Sequence, residues 1–175
     1  MNTVKWVRFS WDLTNFDPVC PPLPSSFAIR RAVLEDRETV SSVVMSSFTL
    51  DSEWNPFFRE IRPLIESALA DVFDEKREPF CLVVTHGVRI IGALGLTAEP
   101  DAQNHLLTGP CIALEYHNRG LASALLAQSL LALRDTGAIT ARGLTKLGST
   151  GAQFIYPKFG AVRVLEDKRA QMGGF

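Results

Sequence analysis

Long apolar runs, blocks of like charge and metal-type cysteine spacings are all missing from this 175-residue sequence. No run approaches the roughly 18 apolar residues that a membrane-spanning helix needs, so no membrane partner is expected. Lysine and arginine total 18 against 19 acidic residues, and neither sign is clustered. Nucleic acid is therefore not expected as the main partner, because backbone phosphates are bound by clustered Lys/Arg. A local anion site made of backbone N–H groups stays open. Cysteine is scarce: Cys20, Cys81 and Cys111 are odd in number and far apart, with no C-x-x-C among them. No histidine stands at ligand spacing from any of them, so neither a disulfide framework nor a zinc or other metal site is expected. Cys81 and Cys111 lie in apolar strand-like runs and read as buried, inert thiols. The opening run MNTVKWVRFSWDL has no continuous apolar stretch and does not read as a secretory leader. A cytoplasmic, reducing location is expected.

What is present is ample core material. Hydrophobic residues make up 46% of the chain, enough for one domain without staples. Residues 1–26 read as an N-terminal arm and a Pro-rich linker, and residues 27–175 as the main domain. Within the arm, residues 4–13 alternate loosely and carry Trp6, Phe9 and Trp11, which suits an extra strand or an arm. The run PVCPPLPSS holds four prolines and is extended chain. FAIRRAV reads as a strand. Asp36 is placed as the N-cap of a helix whose stripe is Val40, Val43, Val44 and Phe48. A second helical pattern covers residues 56–74. FCLVV and RIIGALGLTAE form a hairpin turning at Gly87, and Gly92 and Gly95 imply a bulge or a close backbone approach.

Residues 106–114 read as a further strand, interrupted by Gly109-Pro110. A Leu/Ala-rich helix follows over residues 119–134, then a weaker strand over residues 138–147. A short helix covers residues 149–159, with Ser149 or Thr150 as cap and Gly160 as stop. A strand at residues 161–167 comes next, and the tail has room for one more. The order is β-α-α-β-β-β-α-β-α-β. Three consecutive strands exclude a pure βαβ alternation and predict an α/β (α+β) fold, a mixed sheet with helices on its faces.

The stretch EYHNRGLASALL joins a strand to the Leu/Ala-rich helix. His117-Asn118-Arg119-Gly120-Leu121-Ala122 sets several backbone N–H groups at a helix N-terminus, where the helix itself offers no acceptor. Those donors and the helix dipole suit an anion. Gly120 permits close approach, Arg119 adds positive charge, and Ser123 adds a hydroxyl in the first turn. Taken alone, the hexamer reads as a plain strand-to-helix turn rather than a phosphate cradle, since one glycine without a following lysine is no P-loop.

In context this run resembles the acyl-CoA signature of the GNAT superfamily of N-acyltransferases, Q/R-x-x-G-x-G/A. His117 stands where the family has Gln or Arg, while Gly120 and Ala122 match. The longer run Ile112-Ala113-Leu114-Glu115-Tyr116-His117 also follows the family, with Tyr116 matching and Leu114 replacing a proline. Downstream, Ser149-Thr150-Gly151-Ala152-Gln153-Phe154-Ile155-Tyr156-Pro157-Lys158-Phe159-Gly160 resembles N-x-x-A-x-x-x-Y-x-K-x-G. Ala152, Tyr156, Lys158 and Gly160 fall in register, and Ser149 replaces Asn. The start, IRRAVLEDRETV, looks like the family's first strand and helix. The resemblance covers residues 27–165.

That resemblance implies a GNAT-like acyl-CoA N-acyltransferase fold and acetyl-CoA as acyl donor. It implies that His117, Asn118, Arg119, Gly120, Leu121, Ala122 and Ser123 hold the pyrophosphate. Ile112, Ala113 and Leu114 would pair with the pantetheine arm and supply an oxyanion donor. Ser149 and Ala152 would contact the pantetheine, and Tyr156 would protonate the leaving thiolate. Pro157 disfavours the helical region at Tyr156 and predicts a helix end or kink there. The implied reaction is direct acetyl transfer to a primary amine, either a small molecule or a protein amine. A non-catalytic acyl-CoA-binding module on the same fold is the alternative. The general base is open among Asp51, Glu53, Glu99, Asp101 and His105, and Glu115 has no role. Trp54, Phe57 and Phe58 read as core or lid packing. A homodimer is left open.

Overall fold

Alternation decides the place of the first strand. In the computed structural model, which describes residues 3–165, β1 (Trp6–Asp12) buries Val7, Phe9 and Trp11 on one face. Both of its edges are paired. It lies antiparallel between β6 (Thr140–Lys146) and β7 (Val162–Leu165), with Trp6 opposite Lys146 and Asp12 opposite Thr140. The segment read as an extra strand or an arm is thus the middle strand of a three-stranded sheet.

The second sheet has four antiparallel strands in the order β2 (Phe27–Arg31), β3 (Cys81–His86), β4 (Arg89–Gly95) and β5 (Cys111–Ile112). The β3–β4 hairpin turns at Gly87, whose φ of +59° is left-handed. The predicted irregularity sits one residue away from Gly92. Val84 pairs with Gly92 and Thr85 with Ile90, so Ile91 is the extra residue of a bulge. Gly92 itself marks a close approach: a methyl group there would lie 2.6 Å from Ile112 Cδ1 and 2.9 Å from the Cys111 carbonyl.

Helices cover both faces of this sheet. α1 (Arg37–Leu50) and α2 (Phe58–Val72) bring Val40, Val44, Ile61 and Ile65 against Val83, Ala93 and Cys111. On the opposite face, α3 (Leu121–Asp135) packs Leu125, Leu126 and Leu130 with Val84, Ile91 and Leu94, and this core runs on into Phe9 and Trp11 of β1. Neighbouring residues such as Val83 and Val84 point to opposite faces because the strand period is two. None of the helices among the described residues is long and apolar enough to cross a membrane.

Two local expectations change. Asp36 closes a 3-10 turn, Leu34–Asp36, and its carboxylate accepts the Val33 N–H at 2.9 Å rather than capping α1. The Arg30 guanidinium, 2.8 Å away, holds the carboxylate there and keeps its pKa below the usual value. The strand expected over residues 106–114 shrinks to Cys111–Ile112. Gly109 takes a φ of +64° and Pro110 has no N–H to give a ladder, so only a single bridge, Leu96 to Leu106, survives upstream. The last residues of the strand predicted at 161–167, and the tail strand, lie outside the described residues.

Gly92→Ala should therefore be disruptive out of proportion to its size. The Ile112 side chain can rotate away, but the Cys111 carbonyl belongs to a paired backbone and cannot. Chemical denaturation should show a loss of about 1–3 kcal/mol.

Candidate active site

The segment leading into β5 is tied to β6 at Asn104 and His105, and β5 itself stands apart from β6. The His105 N–H donates to the Arg142 carbonyl at 2.7 Å, and the Arg142 N–H donates to His105 Nδ1 at 2.9 Å. Leu144 N–H donates to Asn104 Oδ1 at 3.2 Å. Beyond these bonds no ladder joins the two sheets, and the gap opens into a cavity of about 350 Å³. The orientation of β5 in that gap follows from its pairing. Ala113 N–H donates to the Ile91 carbonyl at 2.8 Å on the β4 side, so the peptide groups of Ile112 face away from β4 by strand alternation. The Ile112 carbonyl there accepts His117 Nε2–H at 2.8 Å.

At one end of the cavity stands the N-terminus of α3. Its first helical bond runs from Ala124 N–H to the Gly120 carbonyl at 3.1 Å. The N–H groups of Leu121, Ala122 and Ser123 precede that bond, and no side chain caps them. Asn118 and Gly120 are both left-handed, with φ of +61° and +77°. A side chain at Gly120 would meet nothing within 4 Å, so the backbone there faces open space. Lys158 Nζ donates to Ser123 Oγ at 2.7 Å and adds a cation to this first turn. These donors and charges fit an anionic phosphate group.

Tyr156 is in the wall between the two sheets. Ser149 Oγ accepts the Ala152 N–H at 3.2 Å and starts a single π-helical turn, Gly151–Ile155. Tyr156 N–H closes it on the Gly151 carbonyl at 2.9 Å. Tyr156 keeps a right-handed helical conformation, φ −61° and ψ −33°, although Pro157 follows. The expected break comes later, at Phe159 and Gly160, both left-handed. The wide π turn and its i−5 bond hold Tyr156 helical against the bias that proline imposes.

The Tyr156 ring lies 5.6 Å from Phe9 and 6.1 Å from Trp11, centroid to centroid. Trp11 Nε1–H in turn donates to the Lys158 carbonyl at 2.9 Å. The hydroxyl points at Gly109, where a methyl group would come within 2.7 Å of it. Burial pushes the Tyr156 pKa well above its ordinary value, and the nearby Cys111 thiol acts in the same direction. The phenol is thus held protonated, as a proton donor must be.

Of the residues singled out in the sequence, Ile112, His117, Asn118, Gly120, Leu121 and Ala122 line the cavity, as do Ser123, Ser149 and Tyr156. Ala113, Leu114, Arg119 and Ala152 do not. Leu114 falls in a 3-10 turn, Leu114–Tyr116, and is exposed. Arg119 donates to the Glu115 carbonyl and lies over the Tyr116 ring.

Among the candidate bases, Asp51 and Glu53 line the cavity, and Glu99, Asp101 and His105 are outside it. Glu53 is engaged: it accepts the Thr150 N–H at 3.0 Å and the Thr150 hydroxyl at 2.8 Å. Both nitrogens of His105 are engaged too, since Nε2–H donates to the Glu99 carbonyl at 2.9 Å. Trp54 reaches the cavity, and so do Phe48 and Trp6, which the sequence placed only in a helix stripe and in the N-terminal arm. The signal for Trp6 was the alternation of β1, which sets it on the face opposite Phe9 and Trp11.

A sequence model of the acetyltransferase (GNAT) family matches residues 47–161. The chain belongs to the GNAT acetyltransferase family. Solved structures agree on the fold. A GCN5-related N-acetyltransferase from Sphaerobacter thermophilus is 17% identical with a TM-score of 0.62, over 94% of this chain and 50% of that one. A GNAT-family acetyltransferase from Colwellia psychrerythraea is 12% identical with a TM-score of 0.62, over 93% and 53%. A GCN5-related N-acetyltransferase from Kribbella flavida is 15% identical with a TM-score of 0.56, over 94% and 59%. The chain spans about half the length of such structures. No curated protein matches it by sequence.

His105 should give the fold an acid-sensitive brace. Burial lowers its pKa, and the Arg142 N–H needs the lone pair on Nδ1. The unfolded chain takes up a proton near pH ~6.5, while the folded chain resists until lower pH. The stability is complete above that value and is lost as pH falls toward the folded pKa. Thermal melts from pH 8 to pH 5 should show that loss. His105→Gln should flatten it, at a cost of about 1–3 kcal/mol at neutral pH.

Proposed function

We propose that the protein is an N-acetyltransferase that moves an acetyl group from acetyl-CoA to a primary amine by direct attack. The observation that carries this reading is the alignment of three features along one cavity. They are the uncapped N-terminus of α3, the outward-facing peptide of Ile112 and the protonated hydroxyl of Tyr156. When bound, the donor supplies an activated thioester carbonyl and a thiol leaving group. The N–H groups of Leu121, Ala122 and Ser123, with Lys158 behind them, receive the pyrophosphate. Ile112 offers a backbone N–H and carbonyl on the free side of β5 to the pantetheine arm. Its carbonyl already accepts His117 Nε2–H and keeps a second lone pair for the pantetheine. Ile112 N–H polarises the acyl oxygen, and Tyr156 gives its proton to the departing sulfur.

The alternative, a non-catalytic acyl-CoA-binding module, draws on one specific observation. Glu53, a carboxylate in the cavity wall, has both oxygens engaged by Thr150, so it serves there as a brace between the α1–α2 loop and the Ser149 turn. Asp51 has an oxygen to spare, which supports catalysis over that alternative.

Calorimetry should detect acetyl-CoA binding, and a thiol-release assay over an amine panel should detect turnover. Tyr156→Phe should lower kcat about 100-fold or more with the acetyl-CoA Kd little changed. Absence of binding at high micromolar acetyl-CoA would overturn the reading. Binding without turnover would favour the non-catalytic module, and unchanged turnover in Tyr156→Phe would remove Tyr156 from the acid role.

A further inference from the structure

The far end of the cavity, beyond Tyr156, has a composition of its own. Three rings come together there. Trp6 of β1 and Trp54 of the α1–α2 loop have centroids 6.2 Å apart, and Phe48 at the end of α1 meets Trp54 edge-on at 5.1 Å. Ile61 and Ile65 of α2 complete an apolar wall.

The charge in that wall is of one sign. Asp51 and Glu53 line it, and no lysine or arginine among the described residues does. Glu53 is spent on Thr150. Asp51 is held in place differently. Its Oδ1 accepts the Glu53 N–H at 2.7 Å, and its carbonyl accepts the N–H groups of Trp54 and Asn55 at 3.1 and 2.8 Å. These bonds fix the turn and leave the second carboxylate oxygen without a hydrogen bond to any described residue. Lys146 has its ammonium 5.9 Å from the centre of the Trp54 ring and 5.4 Å from that of Phe57, and it does not line the cavity.

We infer that the acceptor is a primary amine on an aromatic body that carries no carboxylate or phosphate. The proposal rests on the N-acetyltransferase reading above. The ring packs against the cavity side of the Trp6, Phe48 and Trp54 cluster, which offers face and edge contacts of the kind aromatic groups prefer. The ammonium faces Asp51 through a charge-assisted hydrogen bond. A carboxylate on the same ligand meets two acidic side chains in the wall and no lysine or arginine lining it, so α-amino acids are disfavoured by repulsion. In the transfer, Asp51 first takes one proton from the ammonium. The amine nitrogen then bonds to the acyl carbon as the carbon–sulfur bond breaks. Tyr156 protonates the sulfur, and the nitrogen's surplus proton restores the phenol. Ammonium plus thioester thus yield amide, thiol and one proton released to solvent.

Ligand binding tests the proposal independently of turnover. Phenethylamine and phenylalanine share a ring and an amine and differ by one carboxylate; tryptamine and tryptophan form a second such pair. Calorimetric titration of the full chain should give each amine a Kd about tenfold or more below that of its amino acid, the margin expected from setting one carboxylate against Asp51 and Glu53. Asp51→Asn should erase most of that preference. Trp54→Ala should weaken both amines about tenfold, while acetyl-CoA binding, measured in the same preparation, stays intact and reports a folded chain. Amino acids binding as well as their amines would overturn the proposal, and so would a stronger response to spermidine than to phenethylamine. Those failures leave acetyl-CoA binding untouched, whereas failure of the acetyltransferase reading shows first as absent acetyl-CoA binding or absent transfer to every amine.

Discussion

Strand β1 is hydrogen-bonded on both edges, and the cavity is built on that pairing. Its register against β6 sets Trp6 opposite Lys146 and Trp11 opposite Ala141. One face of the strand therefore reaches the cavity through Trp6. The other face lays Phe9 and Trp11 beneath Tyr156. A single residue of slippage would exchange the two faces, because side chains alternate with period two. The buried rings oppose such a slip. Removing a side chain of this size from water is worth roughly 1.5–3 kcal/mol, and Val7, Phe9 and Trp11 would all be exposed together.

The cavity that results is polar in the electrical sense. One end has the uncapped N–H groups of α3 and the Lys158 ammonium. The other end has Asp51 and Glu53. Between them Tyr156 is kept neutral by its burial. Such an arrangement favours negative charge at the α3 donors and positive charge at the carboxylates. The carboxylate of Asp51 is already fixed by its own hydrogen bond within its turn.

Much of this was legible in the sequence where the signal is local. The turn at His117 to Ala122, the cap at Ser149, the stop at Gly160 and the hairpin at Gly87 each depend on a few neighbouring residues, and each is in place. Long-range pairing was not legible. Nothing in residues 4–13 announces that they lie between β6 and β7, since alternation gives a strand its faces but not its neighbours. Trp6 was invisible as a cavity residue for the same reason. Asp36 looked like a helix cap because its type and position suit one, yet Arg30 lies across the turn and holds its carboxylate. Likewise the bonds on His105 come from residues 99 and 142, so a histidine near a pocket read as a base when it is a brace.

The position of β1 also sets an order on synthesis. Its residues leave the ribosome before any other described strand, but its partners are Thr140–Lys146 and Val162–Leu165. The four-stranded sheet, with α1 and α2, draws only on residues up to Ile112, so it has all its parts earlier. Until β6 and β7 emerge, a segment carrying Trp6, Phe9 and Trp11 has no edge to pair with. Closing that loop is an entropic cost met late, the kind of non-local pairing that slows folding and leaves apolar surface open to wrong partners. The nascent chain thus carries an unpaired aromatic strand until β6 and β7 have been made, and the proline-rich stretch after it keeps that strand from extending into the hairpin-forming segments that follow.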